Sequence, residues 1–184
     1  MSAKSPPALQ LIPQPLTADS FAPYGDVIEC IEHAQGLDSN PMNNGAFERF
    51  DDLANVNVEP SDEQPPRISI ARCKTATSLP HSFNLVERHP LGSQAFIPRA
   101  RFEFLVVVGK ATQAIAPEHM MAFITNGQQG ISYFRGTWHM PLIAQEPGQE
   151  FIIVDRGVDG GNCDIVEFDR TITLNPPTQS NDSE

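Results

Sequence analysis

Glu87-Arg88-His89-Pro90-Leu91-Gly92-Ser93-Gln94-Ala95-Phe96-Ile97-Pro98 decides the reading of this chain, together with Gly136-Thr137-Trp138-His139 downstream. Residues two apart on a β-strand project from one face, so Glu87 and His89 share a side. Pro90-Leu91-Gly92 is a turn signal, and Gln94 stands five residues after His89, at the start of a new extended run. Gly136 precedes His139 by three residues, as a turn entering a strand does. A barrel that lays the second stretch over the first turns Glu87, His89, Gln94 and His139 inward together. Two imidazoles, a carboxylate and a carboxamide can hold a divalent metal, or do acid–base work on a small polar substrate.

The surrounding sequence favours such a barrel. Alternating or apolar runs recur at Asp26–Glu29, Arg67–Cys73, Phe83–His89, Gln94–Ile97, Phe102–Val108, Met121–Thr125, Ile131–Phe134, Leu142–Ala144, Phe151–Asp155 and Asp164–Phe168. Turn residues separate almost every pair, among them Asn126-Gly127, Pro147-Gly148 and Asp159-Gly160-Gly161-Asn162. Seventeen prolines and 12 glycines suit short strands better than long helices. Many short strands at this spacing predict a sandwich or barrel. One short helix is expected after Thr17, a good N-cap. The chain of 184 residues is expected to be a flexible tail over 1–8, one domain over 9–170 and a disordered tail over 171–184. The polar stretch 33–40 and the acidic, proline-rich stretch Glu59–Pro66 read as loops.

Composition narrows the function. A net charge of -11 leaves no basic stripe for phosphates, so no nucleic-acid partner is expected. The longest apolar run, Phe104–Val108, is far too short for a bilayer, and MSAKSPPALQ has no signal-peptide core, so no membrane association is expected. Cys30, Cys73 and Cys163 are odd in number and form no CxxC pair, which fits free thiols in a reducing cytoplasm. Cys73 and Cys163 read as small hydrophobes beside strands. No organic cofactor is expected.

The two motifs have a known spacing. Cupin barrels carry His-x-His-x4-Glu and, later, Pro-x-Gly-x-x-His. Here Glu87-x-His89-x4-Gln94 and Phe134-x-Gly136-x-x-His139 keep the spacing with altered residue types. The chain therefore resembles a cupin. That implies a mainly β, double-stranded β-helix (jelly-roll) barrel with a few short helices. Gln is a weak neutral ligand, so a metal on this set would be held less tightly than on the usual one. A carboxylate substrate calls for an arginine fork. The candidates are Arg49, Arg72, Arg88 and Arg156, with Arg72 and Arg156-in-Asp155-Arg156-Gly157 preferred. Arg99, Arg101 and Arg135 lie near turns and read as surface charges. His33, His81 and His119 read as exposed, and Trp138 as core. Asn43-Asn44-Gly45 is a turn signal that could also bring the Asn44 amide to a pocket mouth.

A closer likeness is carried by Tyr24-Gly25-Asp26-Val27-Ile28, Asn43-Asn44-Gly45, Glu48-Arg49-Phe50, the whole Glu87–Pro98 block, Ala122-Phe123-Ile124-Thr125-Asn126-Gly127, Gln129-Gly130-Ile131-Ser132-Tyr133, Trp138-His139 and Asp155-Arg156-Gly157. In these blocks the chain resembles the ureidoglycolate lyases. The resemblance implies cleavage of (S)-ureidoglycolate into glyoxylate and urea, late in allantoin and purine catabolism. It also implies a cytoplasmic homodimer and a divalent metal, nickel being the one usually named. On that reading His89, His139, Glu87 and Gln94 are catalytic, and the same four are the metal set if a metal is bound. His89 or His139 serves as base and Glu87 orients its partner imidazole. Arg72, Arg156, Asn44 and Asp155 bind substrate. The acidic 59–66 loop and the C-terminal tail depart from the family pattern without touching these blocks. Two other readings stand beside it: a different metal-dependent small-acid cupin enzyme, such as a dioxygenase, or a non-catalytic ligand-binding cupin. The first expects a fuller histidine set, and the second a fused effector domain.

Overall fold

The structure, a computed structural model, describes residues 7–30, 39–59, 65–157 and 161–178. The expected tail up to residue 6, His33 and most of the 33–40 loop, the centre of the acidic loop and the C-terminus from Gln179 lie outside the described residues.

Alternation in the sequence becomes strand pairing. The strands are β1 (Leu9–Leu11), β2 (Gln14–Pro15), β3 (Gly25–Ile28), β4 (Ser39–Met42), β5 (Phe47–Phe50), β6 (Pro66–Arg72), β7 (His81–Arg88), β8 (Gln94–Pro98), β9 (Leu105–Gly109), β10 (Met121–Ile124), β11 (Gly130–Tyr133), β12 (Trp138–His139), β13 (Glu150–Arg156) and β14 (Asp164–Leu174). One sheet runs β1-β14-β7-β12-β9-β10-β2, a second runs β3-β11-β8-β13-β6, and β4-β5 form a hairpin. The chain is mainly β and cupin-like, as the motif spacing implies. A short helix, α1 (Ala18–Phe21), starts where the Thr17 hydroxyl accepts from the Ser20 N–H, and the Thr17 N–H donates in return to the Ser20 hydroxyl.

The two sheets enclose the principal core. Val106 and Val108 of β9 pack there with Phe96, Ile131 and Phe151 of the second sheet. Leu105 and Val107, the alternate residues of β9, pack on the other side with Val86, Trp138, Ile172 and Leu174. Burial on both faces is why this strand reads as an unbroken apolar run.

β14 carries a bulge where it pairs with β7. The β14–β7 register shifts between Glu167 and Ile172. Phe83 and Val86 of β7 both bury in the second cluster, and Glu87, next to Val86, turns to the other face. Glu87 and His89 are left facing the space between the sheets. β14 also runs through Leu174, beyond the domain end expected at 170. Ile172 and Leu174 are fully buried, and β1 pairs alongside them in parallel. Two expected strands are shorter. Phe102–Phe104 stays outside β9, with the Phe104 N–H donating to the Thr125 hydroxyl, and Ile143 makes only a single bridge to Leu105.

Candidate active site

β12 lies between β7 and β9, and its register sets His139 directly opposite Glu87. Opposed residues share a face, so both side chains project into the barrel. Trp138, one residue earlier, projects the other way into the second core, where its Nε1 donates to the Thr112 carbonyl at 3.0 Å. The Gly136 N–H donates to the His89 carbonyl at 2.9 Å, tying the turn before β12 to the end of β7. Gly136 has φ 77°, a left-handed conformation that suits glycine. This is the physical content of the Gly-x-x-His spacing.

Three of the four motif residues meet. His139 Nε2 lies 3.6 Å from Glu87 Oε1, and the His89 and His139 ring centroids are 5.2 Å apart. One potential ligand atom from each of Glu87, His89 and His139 lies within 4.8 Å of the others. Both imidazoles are oriented by backbone. His139 Nδ1 donates to the Thr137 carbonyl at 2.9 Å, and His89 Nδ1 to the Asn162 carbonyl at 2.6 Å. A carbonyl only accepts, so Nδ1 carries the proton and Nε2 the lone pair in each neutral ring. Metal-ligating histidines are oriented in this way. Tyr133 stacks on His139 at 4.5 Å between centroids and 25° between planes.

His139 Nε2 is buried and has no hydrogen-bond partner, the one such side-chain atom among the described residues. Its 3.6 Å separation from Glu87 exceeds a hydrogen bond. An orphaned buried lone pair beside a carboxylate and a second oriented imidazole is a donor set that fits a divalent cation.

The electrostatics agree. His139, chiefly, holds the Glu87 carboxyl below the usual carboxylate range through the Nε2–H donor and charge it has when protonated, against the opposing effect of partial burial. Burial, with the Glu87 charge adding to it, pushes the Tyr133 phenol far above its ordinary range and keeps it neutral. Cys163 approaches from the start of β14, its thiol donating to Glu87 Oε2 at 3.6 Å. Burial, then the Glu87 charge, raises that thiol above its ordinary value, so it stays a donor.

Gln94 reaches the site from the other sheet. It pairs with Tyr133 across β8–β11, and its Nε2 donates to Asp155 Oδ2 at 3.4 Å. Because a carboxylate only accepts, this bond fixes the amide and leaves Oε1 as the free acceptor. Asp155, half-buried, pairs with Arg67 at 3.2 Å. The other expected residues lie elsewhere. Arg72, on the outward face of β6, pairs with Glu150 at 2.5 Å. Arg156 is buried, and its Nε donates to the Glu59 carbonyl at 2.8 Å. Asn44 sits at the exposed β4–β5 turn with φ 58°.

Arg67, Tyr133, Asn162 and Cys163 are the members of this neighbourhood that motif spacing does not single out. The last two come from a segment more than 70 positions from the motif residues they touch. Cys163 is exposed, not the buried hydrophobe its sequence context suggests.

The chain matches known proteins along nearly its whole length. The ureidoglycolate lyase family profile matches residues 8–175. The chain belongs to the ureidoglycolate lyase family. A ureidoglycolate lyase of Stutzerimonas stutzeri (strain A1501) is 44% identical over 165 residues, covering 89% of this chain and 94% of that protein. Those of Pseudomonas putida (strain W619) and Pseudomonas fluorescens (strain SBW25) are 43% and 44% identical, each covering 90% of this chain and 97% of the relative. The family match spans both sheets and every motif block, so the lyase family reading of the sequence holds along the domain.

Proposed function

We propose that this chain is a ureidoglycolate lyase that splits (S)-ureidoglycolate into glyoxylate and urea in allantoin and purine catabolism. The observation that carries the chemistry is the Glu87–His89–His139 triad, with its buried, unpartnered His139 Nε2. One substrate carbon bears a hydroxyl, a carboxylate, a hydrogen and a urea nitrogen. Cleavage moves the O–H electron pair into a new C=O bond and the C–N pair onto nitrogen. The hydroxyl proton ends on urea, and no water is consumed.

Glu87, His89 and His139 would hold a divalent cation, nickel by family likeness. When bound, such an ion acidifies a hydroxyl and stabilises the oxygen charge that develops. Glu87, held ionised at neutral pH, takes the hydroxyl proton and passes it to the departing nitrogen. Gln94 offers Oε1 to the ureido N–H groups. Tyr133 covers one face of His139 and keeps water from it. In an ion-free protein the His139 Nε2 lone pair is the base instead, with Glu87 stabilising the imidazolium. Chelator treatment is expected to lower urea and glyoxylate release together by about 100-fold, within the usual range for one such catalytic element, and nickel to restore it. Full activity in chelated, metal-free protein would transfer the role to His139. Ammonia in place of urea would overturn the lyase reading.

The protein is read as a cytoplasmic homodimer without an organic cofactor, a nucleic-acid partner or membrane association. No helix among the described residues is long and apolar enough to cross a membrane. Support for a dimer comes from β6, the edge of the second sheet, which turns Ile68 and Ile70 outward at 77% and 57% exposure. They stand beside Val154 and Ile152 of β13. An apolar edge of this kind is ordinarily covered. The Ile68→Asp/Ile70→Asp double variant is expected to run at half the wild-type mass in light scattering. A wild-type chain that is already monomeric would remove the dimer.

A further inference from the structure

We propose that Arg67 holds the substrate carboxylate, that Asp155 positions it, and that Arg67 thereby sets the preference for an acid over its neutral amide. This rests on the lyase reading above. Tyr133, Gln94, Asp155 and Arg67 come from four successive strands, β11, β8, β13 and β6, and form one row. Tyr133 is opposite Gln94, and Asp155 is opposite Arg67. The β13–β8 register, which sets Val154 opposite Ala95, carries on to bring Asp155 alongside Gln94. Residues in such a row share a face. That face is the barrel interior, because Phe151 and Phe96, two strand periods and one from Asp155 and Gln94, lie in the principal core.

The row is joined by contact as well as register. Tyr133 stacks on His139, Gln94 Nε2 donates to Asp155 Oδ2, and Arg67 Nε donates to Asp155 Oδ1. A continuous polar wall therefore leads from the triad to a guanidinium that is 43% exposed at the sheet edge. Three strand spacings separate its ends, about 14 Å at the backbone. Asp155 grips Gln94 and Arg67 through its two oxygens, so the acceptor Oε1 and the cation are oriented by the same group. This suits ureidoglycolate, which has N–H donors at one end and a carboxylate at the other. A guanidinium carries five N–H donors in a fork that matches a carboxylate.

The other arginines in this part of the chain are engaged differently. Arg88 lies over the Trp138 ring, on the far side of its sheet, and pairs with Asp164. Arg135 bonds the Pro90 carbonyl and pairs with Glu59, while Arg72 and Arg99 share Glu150. Arg156 has the opposite parity to Asp155 and anchors the Glu59 backbone.

The test uses the full chain, loaded with nickel, and compares wild type with Arg67→Met, Arg67→Lys and Arg72→Met. Urea release from (S)-ureidoglycolate gives kcat and KM, and calorimetry gives the affinity for glyoxylate. A charge-assisted hydrogen-bond pair removed from the bound state costs about 10- to 100-fold in binding. Arg67→Met is therefore expected to raise KM and the glyoxylate Kd by that factor, with kcat changed less and nickel content unchanged. Arg67→Lys should recover part of the loss, and Arg72→Met should match wild type. Wild-type KM and glyoxylate affinity in Arg67→Met would overturn the assignment, as would equal loss in Arg72→Met, or loss of nickel and thermal stability along with affinity. If wild type releases no urea, the lyase reading fails, and the glyoxylate titration alone then decides Arg67. A wild type that binds no glyoxylate, or an Arg67→Met variant that binds it equally, overturns the assignment in that case.

Discussion

His139→Ala is expected to lower kcat/KM for urea release by at least about 1,000-fold, with nickel retention falling alongside. The size follows from the number of roles that meet on one atom. Nε2 is the only buried side-chain polar atom among the described residues without a hydrogen-bond partner, and its lone pair is fixed by the Nδ1 bond to Thr137. Removing a metal ligand, or a positioned proton acceptor, costs about 100- to 10,000-fold. Here the same substitution also releases Glu87, whose low proton affinity depends first on His139. A carboxyl freed from that neighbour is a poorer ligand and a less reliably ionised acceptor. The change leaves a gap under Tyr133, so His139→Gln is the companion variant, because it keeps more of the volume. If the loss arises at Nε2, both variants lose activity. If it arises from repacking, the glutamine variant recovers most of it. Urea and glyoxylate release within about threefold of wild type in His139→Ala would remove the residue from the reaction.

The motif residues were legible because their geometry is local. Glu87 and His89 need only strand alternation, and Gly136 needs only a turn ahead of His139. Which face they occupy depends on packing: Val86, beside Glu87, buries in the second cluster, so Glu87 turns to the space between the sheets. The arginines show a different limit. Alternation along β6 correctly separates Arg67, Ser69 and Ala71 from Ile68, Ile70 and Arg72. Ordinary reasoning then buries the isoleucines. The structure does the reverse: Ile68 and Ile70 are exposed, and the small residues face inward against β13. A hydrophobic pattern identifies the core face only where the other face meets water. β6 presents an apolar face to the outside, so the pattern points the wrong way and Arg72 looks better placed than Arg67. Asn162 and Cys163 fail for a third reason. Their contacts to His89 and Glu87 span more than 70 positions, and neither lies in a recognisable motif. The relatives leave the family clear, while the roles within the site rest on these register-dependent contacts.

Phe151→Ala is expected to destabilise the fold by about 3–5 kcal/mol, among the largest single effects available in this core. Phe151 is 1% exposed and lies in the principal core. Three aromatic rings meet it edge-on: Phe104 at 5.0 Å, Phe102 at 5.1 Å and Phe96 at 6.4 Å between centroids. Such T-shaped pairs contribute about 0.5–1.5 kcal/mol each beyond area burial, so truncation loses packing in three directions at once. Relaxation is restricted, because Phe96 belongs to β8 and Phe104 is tied to Thr125. For a chain of this size the loss corresponds to a fall in Tm of about 6–20 °C, read by calorimetry or thermal circular dichroism. A fall of less than about 3 °C would mean that the two sheets can close over the gap. The same strand carries Asp155 four residues on, on the same face, so the variant also separates packing from chemistry. Assayed well below its melting point, it should keep much of its kcat, because the triad is carried by β7 and β12 in the other sheet. Its KM should rise, because β13 holds Asp155 and, through it, Arg67 and Gln94. His139→Ala has the opposite signature, with activity lost and most of the stability kept. The pair of variants therefore tests whether one sheet carries the reacting groups while the other positions the substrate.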